Sequence, residues 1–158
     1  MTLSKLIGHK APEFTLQNHE GKERSNTDFL GKWLILYFYP KDNTPGCTQE
    51  ALAFTELKTK FSKKDAVIIG VSPDSVASHQ KFIQKKSLNV ELLSDTEKSA
   101  AEAFGVWQLK KMAGREYMGV VRTTFVISPD GIVKEVFEKV KVNGHVEAVF
   151  DRLCVLSE

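Results

Sequence analysis

Trp33-Leu34-Ile35-Leu36-Tyr37-Phe38-Tyr39 runs directly into Pro40-Lys41-Asp42-Asn43-Thr44-Pro45-Gly46-Cys47-Thr48-Gln49-Glu50. The first stretch is apolar and aromatic throughout, the pattern of a strand buried on both faces of a sheet. Proline limits strand continuation, so the strand ends near Pro40. The second stretch is rich in turn residues and passes into residues 50–61, where Phe54, Leu57 and Phe61 recur at helical spacing with charged residues between them. The intervening loop lies at the carboxyl end of the strand, which is where open α/β sheets bind ligands.

Further along the chain, Ala66-Val67-Ile68-Ile69-Gly70-Val71 repeats the buried-strand pattern, and Ser75 is placed to cap a helix running to about Lys85. Together these segments make a βαβ unit with parallel strands. Residues 90–93 read as a short strand and 97–104 as a short helix. Residues 105–119 form a polar, poorly periodic excursion carrying Trp107 and Tyr117, to which the pattern assigns no element. Residues 123–127 and 132–137 flank Pro129-Asp130-Gly131 and read as a hairpin. Residues 145–156 carry Val146, Val149, Phe150 and Leu153 on one face, with Gly144 just before them, and read as a closing helix. Upstream, residues 13–16 suggest a short strand. This order specifies an α/β protein with a mixed central β-sheet flanked by helices, and a thioredoxin-like fold satisfies it. With no repeat, low-complexity tract or linker dividing the chain, residues 1–158 read as one domain.

The chain has 158 residues, 42% of them hydrophobic, enough to bury a continuous core. Its net charge of +2 comes from 22 basic and 20 acidic residues interspersed along the sequence. No single-sign field exists to recruit nucleic acid or anionic lipid, so the expected partners are small molecules or other proteins. No apolar run approaches the roughly 20 residues of a membrane span, and Met1-Thr2-Leu3-Ser4-Lys5 lacks the apolar core of a signal peptide. A cytoplasmic protein is expected. The two cysteines, Cys47 and Cys154, are too few for a secreted disulfide framework, which directs attention to thiol chemistry. His9, His19, His79 and His145 show no ligand spacing, so neither a metal nor another cofactor is expected.

If Thr44 is the N-cap, Pro45 occupies the first helical position and Cys47 falls in the first turn, facing the positive end of the helix dipole. Helix N-termini and nearby cations favour the thiolate, which is the nucleophilic form. A thiolate attacking a polarised bond also needs donors aimed at the developing charge. The Thr44 hydroxyl, the N–H groups around Gly46 and Cys47, and one arginine can supply them. Arg122, in Val120-Val121-Arg122-Thr123-Thr124-Phe125, sits just before a strand and is always charged. Glu50 follows Cys47 by three residues and shares its helix face. Alone it would disfavour a thiolate by like charge, whereas paired with Arg122 it would hold the guanidinium in place.

Pro40-x-x-x-Thr44-x-x-Cys47 resembles the peroxiredoxin active-site motif. The fuller string Thr44-Pro-Gly-Cys-Thr-x-Glu-Ala51, with Arg122-Thr-Thr-Phe-Val-Ile127, resembles the bacterioferritin comigratory protein (PrxQ) branch. The likeness extends from Gly8-x-x-Ala11-Pro12-x-Phe14-x-Leu16 through Val71-Ser72-Pro73-Asp74 to Pro129-Asp130-Gly131 and the helix containing His145. The resemblance implies reduction of hydrogen peroxide and organic hydroperoxides without metal or prosthetic group. It makes Cys47 the peroxidatic residue, with Thr44 and Arg122 orienting peroxide and thiolate and Pro40 shielding the pocket. It further implies a sulfenic acid intermediate, restored by a thiol such as thioredoxin, glutaredoxin or a small thiol, in a monomer or weak homodimer. Many members of the branch carry a resolving cysteine five residues after the peroxidatic one, where this chain has Leu52. A one-cysteine mechanism is therefore expected, with Cys154 packing the last helix or, alternatively, serving as a resolving or regulatory thiol.

Three other functions use the same residues differently. A redox sensor would oxidise the same cysteine without turning over peroxide. A thiol-disulfide oxidoreductase would need C-x-x-C, and position 44 is Thr. A holdase would need a long exposed apolar stripe, which the pattern lacks.

Overall fold

Leu34 to Phe38 are all buried, and their side chains alternate between two apolar layers. Leu34, Leu36 and Phe38 enter one layer with Phe14, Phe29, Phe104 and Phe125. Ile35 and Tyr37 enter the other with Ala51, Phe54, Phe61, Phe82, Val149 and Leu153. A strand sandwiched in this way must be apolar on both faces, which is why residues 33–39 carry no polar alternation.

In the computed structural model, which describes residues 3–158, the elements are β1 (Thr15–Asn18), β2 (Glu23–Ser25), β3 (Trp33–Phe38), α1 (Pro45–Ser62), β4 (Ala66–Ser72), α2 (Val76–Lys86), β5 (Glu91–Ser94), α3 (Ser99–Ala103), β6 (Trp107–Met112), β7 (Arg115–Val120), β8 (Thr123–Ile127), β9 (Val133–Phe137) and α4 (His145–Leu156). Seven strands form a mixed sheet in the order β2-β1-β5-β4-β3-β8-β9. β3 runs parallel to β4 and antiparallel to β8. Helices α1, α2 and α4 supply the layer that contains Phe54, Phe82 and Leu153, while α3 and the N-terminal segment close the other face. The fold is thioredoxin-like, as the order of elements requires. Among the described residues no helix is long and apolar enough to cross a membrane.

Three sequence expectations need adjustment. The first strand lies at Thr15–Asn18 rather than 13–16, because its register is set by pairing with both β2 and β5. The helix expected over 97–104 shortens to Ser99–Ala103, since Lys98 takes a left-handed conformation (φ 60°) that ends any helical run before it. The unassigned excursion is a hairpin, β6 paired with β7, joined through Ala113 and Gly114 with φ 51° and 79°. Positive φ at both central residues is the demand of a type I′ turn, normally met by Asn-Gly. Ala-Gly gives no such signal, and a ribbon exposed over most of both faces shows no apolar alternation to read.

Gly70 in β4 exists for a packing reason. A Cβ there would lie 2.7 Å from Tyr37 Cζ and 2.8 Å from its oxygen, so the Tyr37 ring occupies the space a side chain would need. Gly70→Ala is expected to cost about 1–3 kcal/mol by overpacking. Thermal unfolding should read this as a fall of several degrees, and an unchanged melting temperature would show that the ring moves aside freely.

Candidate active site

The register of two strands assembles the site. Phe38 of β3 pairs with Thr123 of β8, so Arg122, one residue earlier, arrives beside the point where the chain leaves β3. From there residues 39–44 lead into α1, whose N-cap is Thr44 and whose first residue is Pro45. Proline costs nothing at that position, because its missing N–H would be unpaired anyway. Thr48 N–H donates to the Thr44 carbonyl at 2.8 Å, which starts the helical ladder and leaves the N–H groups of Gly46 and Cys47 without carbonyl partners inside the helix.

Cys47 is buried, 1% exposed. Arg122 Nη2 donates to its Sγ at 3.3 Å, and Arg122 Nη1 donates to Glu50 Oε1 at 2.7 Å. Gly46 makes room for this arrangement, since a Cβ there would lie 3.2 Å from Arg122 Nη2. Glu50 is fully buried rather than an exposed helix residue. Burial pushes its carboxyl up to about 7, against the opposing pull of Arg122. Burial also opposes the charge on Arg122, but Glu50 and Cys47 outweigh it and hold the guanidinium above its ordinary value. The guanidinium thus bridges a carboxylate and a sulfur in a place water barely reaches.

The other two expected residues sit at the rim. Pro40 is half-buried directly after β3. Thr44 holds the N-cap position, but its hydroxyl donates to the Lys41 carbonyl at 2.8 Å and makes no side-chain cap. Capping is therefore not its role here. The backbone takes the cap conformation without the hydroxyl, because Pro45 already fixes the first helical φ.

A polar cluster that the sequence pattern did not single out pins the loop. Asp42 Oδ1 accepts from Tyr39 Oη at 2.6 Å, and its Oδ2 accepts from Ser78 Oγ at 2.8 Å and lies 2.7 Å from His79 Nδ1. The Asp42 N–H donates to Asp74 Oδ2 at 2.8 Å. Residues 39–44 are thereby clamped to α2 and to the end of β4. His79 and the segment Val71-Ser72-Pro73-Asp74 were visible in the sequence, but nothing in their spacing ties them to Asp42. Lys110 of β6 is a second addition. Its Nζ donates to the Val120 carbonyl at 3.0 Å, and burial and the charge of Arg122 lower its pKa. Among the described residues, no cluster of three or more His, Cys, Asp and Glu side chains is placed to hold a metal ion.

Residues 7–136 match the model of the AhpC/TSA family. The chain belongs to that family. Within it, the chain is 49% identical over 152 residues to peroxiredoxin Bcp of Bacillus subtilis, a match covering 96% of this chain and 97% of that protein. It is 47% identical over 147 residues to a putative peroxiredoxin bcp of Helicobacter pylori, covering 93% and 97% of the two chains. The bacterioferritin comigratory protein of Xanthomonas campestris, whose structures concern alkyl peroxide reduction, superposes with a TM-score of 0.88 at 41% identity over 92% of each chain. The resemblance read from the motifs therefore holds across the molecule, and this AhpC/TSA member is a thiol-dependent peroxidase of the Bcp/PrxQ branch.

Proposed function

We propose that Cys47 is the thiol that reacts with peroxide and that Arg122, Glu50, Thr44 and Pro40 serve it. The observation that carries this reading is the contact of Arg122 Nη2 with Cys47 Sγ at 3.3 Å while Glu50 Oε1 holds the other guanidinium nitrogen. The Cys47 thiolate attacks the terminal oxygen of the hydroperoxide, the O–O bond breaks, and the leaving oxygen takes up a proton as water or alcohol. The sulfur becomes a sulfenic acid. Arg122 and the free N–H groups of the first turn of α1 stabilise the charge that shifts onto the peroxide oxygens. The Thr44 hydroxyl turns from the Lys41 carbonyl to the peroxide, and Pro40 keeps water from the sulfur. Hydrogen peroxide and organic hydroperoxides are both substrates, the latter in keeping with the alkyl peroxide reduction of the Xanthomonas campestris relative.

The sulfenic acid is resolved by an external thiol. α1 and α4 pack side by side in the same direction, since His145 lies against Phe54 and Phe150 lies against Phe61. His145 faces Glu50, close to Cys47, and Cys154 sits further along α4 by about 13 Å at 1.5 Å per residue. A disulfide needs Cα atoms within about 7 Å. Leu52, where many of the branch carry a resolving cysteine, is 38% exposed beside Thr44, Pro45 and Thr48. One thiol adds to the sulfenic acid, water leaves, and a second thiol releases Cys47 as a thiol. Thioredoxin, glutaredoxin or a small thiol supplies both, and the protein works in the cytoplasm as a monomer or weak homodimer.

Intact mass after one equivalent of hydrogen peroxide, without reductant and with a sulfenic-acid trap, tests this. One trap adduct on Cys47 and no loss of two hydrogens is the expected result. A Cys47–Cys154 disulfide would overturn the one-cysteine mechanism, and an unmodified Cys47 would overturn its assignment. Cys154→Ser is expected to keep turnover within about two-fold when an external thiol is present, because it alters a half-buried side chain at the far end of α4.

A further inference from the structure

Behind the Arg122–Cys47 contact, only half of the central carboxylate is engaged. Glu50 Oε1 accepts from Arg122, whereas Oε2 is buried and has no hydrogen-bond partner. A carboxylate oxygen stripped of water and of donors is costly, so its surroundings should contain a group able to serve it. His145 Nε2, on the first turn of α4, lies 3.7 Å from Oε2. The same nitrogen is 2.9 Å from Thr124 Oγ1. The ring is buried and stands edge-on to Phe54 and Phe137, at centroid distances of 6.4 and 5.4 Å, so it has little freedom to turn elsewhere.

We propose that His145 is a positioning residue for Cys47: its Nε2, shared with Thr124, serves the second oxygen of Glu50 and keeps that carboxylate turned so that Arg122 stays against the sulfur. A shift of less than about 1 Å brings the 3.7 Å contact within hydrogen-bond range. Nε2 offers one hydrogen or one lone pair, so Thr124 Oγ1 shares that site with Glu50 and accepts the same N–H in a three-centre bond. The groups that face Glu50 and His145 are Arg122 ahead of β8, Cys47 of α1 and Tyr37 of β3. Burial, aided by the charges of Glu50 and Cys47, raises the Tyr37 phenol well above its ordinary value, so it stays neutral. Burial and then Arg122 lower His145 to about 4. The imidazole is therefore neutral at working pH, and its link to Glu50 is a hydrogen bond rather than an ion pair. It donates Nε2–H to the ionised carboxylate and accepts from the protonated one, so the orphan oxygen is served through the titration of Glu50 near 7.

The inference rests on Cys47 being the peroxide-reactive thiol, which the unmutated protein tests in the same experiment by reacting or failing to react. Rapid-mixing oxidation of the reduced protein by hydrogen peroxide, and iodoacetamide alkylation of Cys47, are followed from about pH 5 to about pH 9 for the unmutated protein, His145→Phe, His145→Gln and Thr124→Val. His145→Phe keeps the ring contacts and removes the nitrogen. It is expected to slow oxidation about ten-fold near neutral pH and to move the acid limb of the profile upward, because the Glu50 anion loses a donor. His145→Gln, whose amide restores an N–H, is expected to recover the rate to within about three-fold with the limb back in place. Thr124→Val, near-isosteric within β8, removes the competing partner and frees Nε2–H for Glu50, so it moves the limb downward by less, and it decides the matter if His145→Phe does not fold. An unmoved limb in Thr124→Val and His145→Phe, or equal losses in the Phe and Gln variants, would overturn the proposal and leave His145 a packing residue.

Discussion

Cys47→Ser is expected to abolish peroxide turnover, on the order of 10⁴-fold or more, while the fold survives. A serine hydroxyl in the same place is not ionised at neutral pH and has no adjacent base to activate it. The rest of the site is untouched by the exchange. The introduced hydroxyl would still present an acceptor to Arg122, and the guanidinium would keep its 2.7 Å bond to Glu50, so no buried charge is stranded. Stability should change by no more than about 1 kcal/mol. Peroxide consumption with excess dithiol reductant, beside a circular-dichroism melt, reads both halves. Turnover near the unmutated rate would move the chemistry to Cys154 or away from thiols altogether.

The residues that the structure draws together were readable in the sequence to very different degrees. Cys47 and its strand–loop–helix setting follow from local pattern alone, because an apolar run, turn residues and Pro45 fix both the end of β3 and the start of α1. Arg122 lies 75 residues from Cys47. Its approach depends on β8 pairing antiparallel with β3 in the register Phe38–Thr123, and no short-range pattern encodes that pairing. Only the resemblance of Arg122-Thr-Thr-Phe to a known segment carried it. Glu50 was legible only as a conditional partner of Arg122, since a carboxylate three residues after Cys47 could equally face solvent, and its burial depends on the packing of α1 against β8 and α4. Asp42, His79 and Lys110 remained silent because each works through a partner on another element. Asp42 looks like one more polar loop residue until α2 folds over it.

Helix, strand and loop thus converge on a single guanidinium, and the site is organised around a charge triad rather than around the cysteine alone. The chain places one half-buried cation between one buried carboxylate and one buried sulfur. Two potential anions beside one cation cannot both be fully compensated. Burial holds the Glu50 carboxyl up near 7 against the pull of Arg122, while the guanidinium stays charged. The charged guanidinium can therefore serve the sulfur through Nη2 while Nη1 stays bonded to Glu50.

Arg122→Ala tests this balance through both rate and stability. Removing the donor from Cys47 Sγ is expected to slow oxidation by about 10²–10³-fold, the usual cost of losing one preorganised donor to developing charge. Glu50 then keeps its burial and loses the group that opposed it, so its carboxyl rises further above about 7. A carboxyl whose native pKa lies above its unfolded value binds extra protons in the native state between the two values. Its contribution to stability is complete below the unfolded value near 4.5 and is lost as pH rises through the native value. In the unmutated protein that loss ends near 7; in Arg122→Ala it continues to higher pH and is larger. The melting temperature of the variant should therefore fall short of the unmutated protein by more at about pH 8 than at about pH 5.5. Adding Glu50→Gln removes the titrating group, so the double variant should regain stability at the higher pH and lose its extra pH dependence without regaining rate. A deficit equal at both pH values would show that Glu50 does not depend on Arg122, and recovery of rate in the double variant would show that Arg122 acts only by neutralising Glu50.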